Sequence, residues 1–271
     1  MRRAIALTLA FILAALTSAR ADVVYVGKAE QGALLIGRTI PGSRVTLDGQ
    51  PLMISSDGVF AFGFSRDHGP RATLTVMAPD GTEATRTIAV EPRKYEVQRI
   101  DGIAPKYVSP PADVLKRIAE EKALKAKSRP DNTDAVWFAE KFIWPAMGPV
   151  SGVYGSQRIF NGEPRRPHFG MDIAAPTGAP VRAPADGIVT LANPDMYFEG
   201  GLIFIDHGQG VSTNYMHLSR LDVKSGSHVK QGDLIGAVGG TGRATGPHLH
   251  WGMTWRGTPL DPQLLVADHP E

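Results

Sequence analysis

The chain has 271 residues, 42% hydrophobic and 21% charged. These are ordinary values for folded proteins; they exclude a disordered, collagen-like or multi-span membrane chain and leave room for one or two domains. Three of its 29 basic residues, Arg2, Arg3 and Arg20, lie in the first 21 positions, where there is no acid, and the remainder is close to neutral, so no basic field supports nucleic-acid binding.

The N-terminus runs through Arg2-Arg3, an apolar stretch over 4–16 and Ala19-Arg20-Ala21, the layout of a secretory signal over 1–21 cleaved after Ala21. Its apolar part of about 13 residues is shorter than the roughly 20 needed to span a bilayer; an uncleaved anchor is the competing reading. No later stretch reads as a membrane helix. Cysteine is absent, so an exported protein of this sequence would have no disulfide and no thiolate, and any metal must be held by histidine and carboxylate.

With 30 glycines and 21 prolines the chain predicts short strands between turns. Over 22–92, alternating segments at 33–37, 44–47, 59–64, 72–77 and 85–90 are broken by Asp48-Gly49, Asp57-Gly58 and Asp80-Gly81, which predicts a small β-sandwich. Nothing there clusters for chemistry, and His68 reads as a turn residue, so a role in spacing, docking or gating is expected. Over 93–135, Ser109 as N-cap with Pro110 in the first turn, strong helix formers to 128 and a Glu121/Lys125 pair predict a charged helix. Its apolar stripe is thin, Leu115, Ile118 and Leu124, as in a solvated connector. Over 136–267 strands return, at 153–155, 170–173, 181–183, 187–191, 202–206, 211–216, 234–238 and 248–254. The fold class expected is mainly β: a small N-terminal sandwich, a connecting helix and a C-terminal antiparallel sheet domain.

Six of the eight histidines lie in that last region. His248 and His250 are two apart and would point to one face of a strand. His168 and Asp172 are four apart, again one face if extended, with Gly170 between them permitting close backbone approach. Two histidines, a carboxylate and a position left for water make the composition of a catalytic zinc site. Taken alone, His-x-His also fits satisfied core or surface histidines.

The surroundings are more specific. The first pair stands in Pro167-His168-Phe169-Gly170-Met171-Asp172-Ile173-Ala174-Ala175-Pro176, the second in Gly242-Arg243-Ala244-Thr245-Gly246-Pro247-His248-Leu249-His250-Trp251-Gly252, and between them lies Asn214-Tyr215-Met216-His217-Leu218-Ser219. From about 152 to 265 these stretches resemble the lysostaphin-like (β-lytic) zinc metallopeptidases, the LytM-type peptidoglycan endopeptidases. The resemblance implies a C-terminal domain of barrel-sandwich or duplicated hybrid type, one Zn2+ held by His168, Asp172 and His250, His248 as general base and His217 as a second active-site histidine. It further implies a metalloendopeptidase acting on peptide cross-links of peptidoglycan, with bridges from D-alanine to meso-diaminopimelate favoured over glycine bridges or other proteins. With the leader, that places the protein outside the cytoplasm, in a Gram-negative periplasm by preference, with neither membrane nor nucleic acid as partner. The competing class is a catalytically silent member that binds and activates a wall amidase; the presence of all five residues argues against it.

The remaining candidates have plainer readings. His207 lies in a hairpin turn and is expected to be structural, His228 and His269 to be solvated, Trp251 to be core and Arg165-Arg166 to be a solvated pair. The loop 193–200, with Met196, Tyr197 and Phe198, is a candidate groove wall.

Overall fold

The computed structural model describes residues 23–130 and 133–267; the leader-like segment and His269 lie outside the described residues. The chain is mainly β. No helix among the described residues is long and apolar enough to cross a membrane.

The N-terminal part folds as two facing antiparallel sheets. One pairs Val24–Val26, Leu34–Arg38 and Val59–Gly63; the other pairs Gln50–Pro51, Arg44–Leu47, Arg71–Met77 and Glu83–Ala89. Arg71–Met77 alternates buried and open residues, so Ala72, Leu74 and Val76 face inward, as period-two patterning requires of a sheet with one wet face. They meet Leu35, Phe60, Phe62, Val45 and Ile88 in one core.

That core does not end at the sandwich. Phe138, Val211, Met253, Trp255 and Leu260, from the C-terminal half, belong to the same cluster. Polar ties reinforce the junction: the Gln209 side-chain amide donates to Val59 O at 3.1 Å and its carbonyl accepts from Ala61 N at 3.2 Å. Arg93 pairs with buried Asp261 at 2.8 Å.

The C-terminal half is built on a large antiparallel sheet. Its strand order is His228–Val229, Gly187–Met196, Gly200–Asp206, Val211–Leu218, His248–Trp255, Met171–Ala174, Val150–Gly152, with Thr258–Leu260 added beside His248–Trp255. A smaller sheet of Pro180–Arg182, Leu234–Ala237 and Arg220–Leu221 covers its core.

Several local expectations are corrected. The strand expected at 153–155 lies at Val150–Gly152, because Gly155 turns with φ +84 and Tyr154 is drawn inward to donate to Pro259 O. Ser109 is not a helix N-cap: it closes a short helix, Pro105–Val108. Helical structure resumes only after Pro111, as a 3-10 turn Ala112–Val114 and then the helix Leu115–Lys127, since a residue before proline disfavours the helical region. The connector is also no free spacer. Val97–Ile100 pairs in parallel with Gln157–Phe160, and the helix presses its charged side, not its apolar stripe, onto the hairpin tip at 193–200. Glu121 accepts from Tyr197 N at 2.9 Å, Arg117 donates to Asp195 O at 2.7 Å and Lys125 pairs with Glu199.

Candidate metal centre

Sheet register assembles the site. Asp172 lies directly opposite His250, and Ala174 opposite His248, so the carboxylate and both histidines of the His-x-His pair reach the same face. Met216 is opposite His250 on the other neighbouring strand, which in a regular strand would turn His217 to the far side. Instead the register between Val211–Leu218 and Gly200–Asp206 shifts near this point, and His217 takes φ +65. A non-glycine residue in that region is strained, and here the bulge re-aims the imidazole toward His248, ring centres 4.7 Å apart.

His168 Nε2, Asp172 Oδ1 and His250 Nδ1 converge to pairwise separations of 3.0, 2.9 and 3.0 Å. All three residues are buried. The His168 Nδ1–H donates to Val153 O at 3.1 Å, which leaves Nε2 as a lone pair facing the other two atoms. Two imidazole nitrogens and a carboxylate oxygen, buried and aimed at one point, make the donor set of a cation site. This donor set fits a zinc ion with an open position.

Backbone packing enforces the convergence. A Cβ at Gly170 would lie 2.6 Å from His250 Nε2, and one at Gly152 2.5 Å from Asp172 Oδ2; both positions need glycine for close approach. Asp172 Oδ2 also receives Arg158 Nη2 at 2.5 Å.

Electrostatics hold the set in its binding-competent form. Burial lowers the His168 pKa to about 4 against the opposing pull of Asp172, so the imidazole is neutral near pH 7. Burial works to raise the pKa of Asp172, yet the hydrogen bonds and charges of His168 and His250 hold it well below the usual carboxylate range. His217 is pushed down to about 3, by burial first and then by His248 and His250. His217 and His248 are arranged alike: Nδ1–H donates to a carbonyl, Thr241 O at 2.8 Å and Gly246 O at 2.9 Å, leaving Nε2 as an acceptor toward the site.

Two cavities flank these groups. One of about 280 Å³ is lined by Asp172, His217, His248, Arg158, Arg243 and linker residues Gln98, Ile100 and Ile103. The other, about 380 Å³, is lined by His168, His250, Phe169, Phe198, Arg165 and Arg243. The structure thus brings together all five residues singled out in the sequence. It also places Phe198, from the expected groove wall, beside them. Arg165 is not solvated: it is partly buried, with Nη2 donating to Val108 O at 3.0 Å. Elsewhere, His207 is fully buried between Asp186 O and Thr213 Oγ1, and Trp251 is core. Sequence reasoning missed Arg158, Arg243 and the linker strand. Only Arg243, inside the 242–252 motif, had a local signal.

Residues 166–262 match the model of peptidase family M23. The DD-carboxypeptidase/endopeptidase Mpg of Neisseria meningitidis is 44% identical over 106 residues, 39% of this chain and 24% of that protein. The peptidoglycan DD-endopeptidase ShyA of Vibrio cholerae is 44% identical over 95 residues, 35% of this chain and 22% of that protein. The matched part is therefore about a quarter of the length of these relatives. A crystal structure from Pseudomonas aeruginosa assigned to peptidase M23 superposes with a TM-score of 0.67 at 29% identity, covering 88% of this chain and 95% of that one.

Proposed function

From the premise that this chain carries a peptidase family M23 domain, we propose that it is an exported zinc metalloendopeptidase that hydrolyses peptide cross-links of peptidoglycan. The observation that carries the reading is the convergence of His168 Nε2, Asp172 Oδ1 and His250 Nδ1 beside two imidazoles, His217 and His248, whose Nδ1 atoms donate to carbonyls and whose Nε2 atoms face the same space. The names of the relatives support peptidoglycan as substrate and a DD-bond as target. The layout of 1–21 supports export, with the periplasm as the preferred compartment.

His168, Asp172 and His250 would hold the ion, which when bound supplies Lewis acidity and a water of lowered pKa. The other roles fall to the chain. His248 Nε2, freed by donation from Nδ1 to Gly246 O, accepts the proton of the attacking water and returns it to the leaving amine. His217 keeps its proton on Nδ1 and stays neutral, so at Nε2 it accepts a hydrogen bond and orients the water. The five residues present favour this reading over a silent wall regulator.

The test is a muropeptide analysis of diaminopimelate-type peptidoglycan treated with the zinc-loaded protein, with metal content measured in parallel. Cross-linked dimers should become monomers. His250→Ala should lose both metal and turnover, and His248→Ala should keep the metal while turnover falls on the order of 10²-fold or more. Metal loss in both variants would overturn the division of roles; no conversion by the wild type would overturn the substrate.

A further inference from the structure

Beside the His168, Asp172, His250 cluster stands a group of guanidiniums that the proposed chemistry does not use. Arg158 lies on Gln157–Phe160, Arg165 follows Glu163–Pro164, and Arg243 lies in the loop before His248. All three line the larger cavity, and Arg158 and Arg243 also line the smaller, so those two stand where the cavities join. The acids at hand are already engaged: Asp172 takes Arg158 and Glu199 takes Lys125.

Arg243 is held without an acid. Its backbone N–H donates to Phe198 O at 2.8 Å, and its guanidinium carbon sits 4.8 Å from the Phe198 ring centre and 5.2 Å from that of Phe160. Among the described residues its side chain has no hydrogen bond or ion pair of its own. The Nε groups of Arg158 and Arg165 are also buried without acceptors. Burial lowers the Arg243 pKa; Glu199 opposes this, and the charges of Arg158 and Arg165 add to it. A guanidinium fixed by two aromatic rings, with its donors unspent and two more cations near it, is built to take a planar anion in two parallel hydrogen bonds.

We propose that Arg243, with Arg158 and Arg165 as supporting charge, is a carboxylate-binding subsite, and that its ligand is the free α-carboxylate of the residue whose amine leaves. The assignment rests on the peptidase reading above. Arg158 touches Asp172 itself, so an anion gripped in this cluster lies next to the reacting bond. Chemistry then discriminates between cross-links. In a D-alanyl to meso-diaminopimelate bridge, the carbon bonded to the scissile nitrogen bears a free carboxylate. In a glycine bridge the same place holds a carbonyl already committed to the next amide, with no charge to offer. The arginines thus select the diaminopimelate bridge, and the unpaired guanidinium is completed by substrate.

Calorimetric titration of the full chain carrying His248→Ala, to suppress turnover, tests this with two probes. They are N-acetyl-D-alanyl-meso-diaminopimelate with the adjoining carboxylate free, and the same compound with that carboxylate amidated. The free acid should bind on the order of 10-fold tighter or more, as expected for a charge-assisted hydrogen bond. Arg243→Gln should weaken the free acid by that factor and erase the difference, while Arg243→Lys, which keeps charge without the fork, should retain part of it. Unchanged urea midpoints for both variants guard against misfolding. Equal affinity for the two probes, binding of neither, or discrimination surviving Arg243→Gln overturns the subsite. Discrimination by a protein with intact His248 that cleaves no cross-link would sink the peptidase reading and leave the subsite standing. Equal kcat/KM for acid and amide would do the reverse.

Discussion

At the scale of single residues, the site works by keeping imidazoles neutral. His168 and His217 owe this to burial, and the same force acts far from the chemistry on His207, whose pKa burial lowers to about 4 against its hydrogen bond to Asp186 O. The unfolded chain returns that group to about 6.5, so between those values the unfolded state binds more protons. Stability is therefore unaffected by His207 above pH 6.5 and falls as pH drops from 6.5 toward 4, by up to about 1.4 kcal/mol per pH unit. Urea unfolding at pH 7 and pH 5 should show this. His207→Gln should be less stable than wild type at pH 7, having lost a matched pair of hydrogen bonds, yet lose less on acidification. An equal loss in both proteins would mean that the acid sensitivity arises elsewhere.

At the scale of elements, the helix Leu115–Lys127 contributes position rather than core, for it buries no residue. Its grip on the hairpin tip depends on the Glu121 carboxylate, which caps Tyr197 N and is braced by Arg117 at 2.7 Å. Glu121→Ala leaves that amide without its acceptor, a local cost of about 1–3 kcal/mol. Amide exchange over 193–200 should accelerate on the order of 10-fold or more while metal content stays constant. Unchanged exchange would show that the tip is held by its own strands. Strands such as Arg44–Leu47 and Arg71–Met77 were legible in the sequence, because alternation and Asp-Gly breaks are local signals. The helix start was misread because two successive prolines displaced it, and the grip of the helix was not legible because its partners lie some seventy positions away. Val97–Ile100 offered no alternation and pairs with a strand distant in sequence. That His168, Asp172, His217, His248 and His250 would be gathered could be expected since their motifs are short and intact, but not that a bulge at His217, rather than strand period, would turn it toward the others.

At the scale of the whole molecule, one strand serves two masters. His248–Trp255 carries the paired histidines at its start and, at its end, Met253 and Trp255 within the core shared with the sandwich. Leu260, on the strand beside it, packs onto Gly63 of the sandwich. Leu260→Ala should cost about 2–5 kcal/mol, the range for a buried leucine. Hydrogen exchange in 59–63 and 253–255 should rise together, since Phe60, Phe62, Met253 and Trp255 lean on the same cluster as Leu260. Opening of 59–63 alone would show two independent folding units.

The shared core also bears on what a protease could do to this protein. A nick in the exposed stretch near Asp101 and Gly102 would cut the covalent connection but leave Phe60, Phe62 and the Gln209 bridge in place. The two fragments would then elute as one particle, and the sandwich would leave only when denaturant, not cleavage, pulls the apolar faces apart.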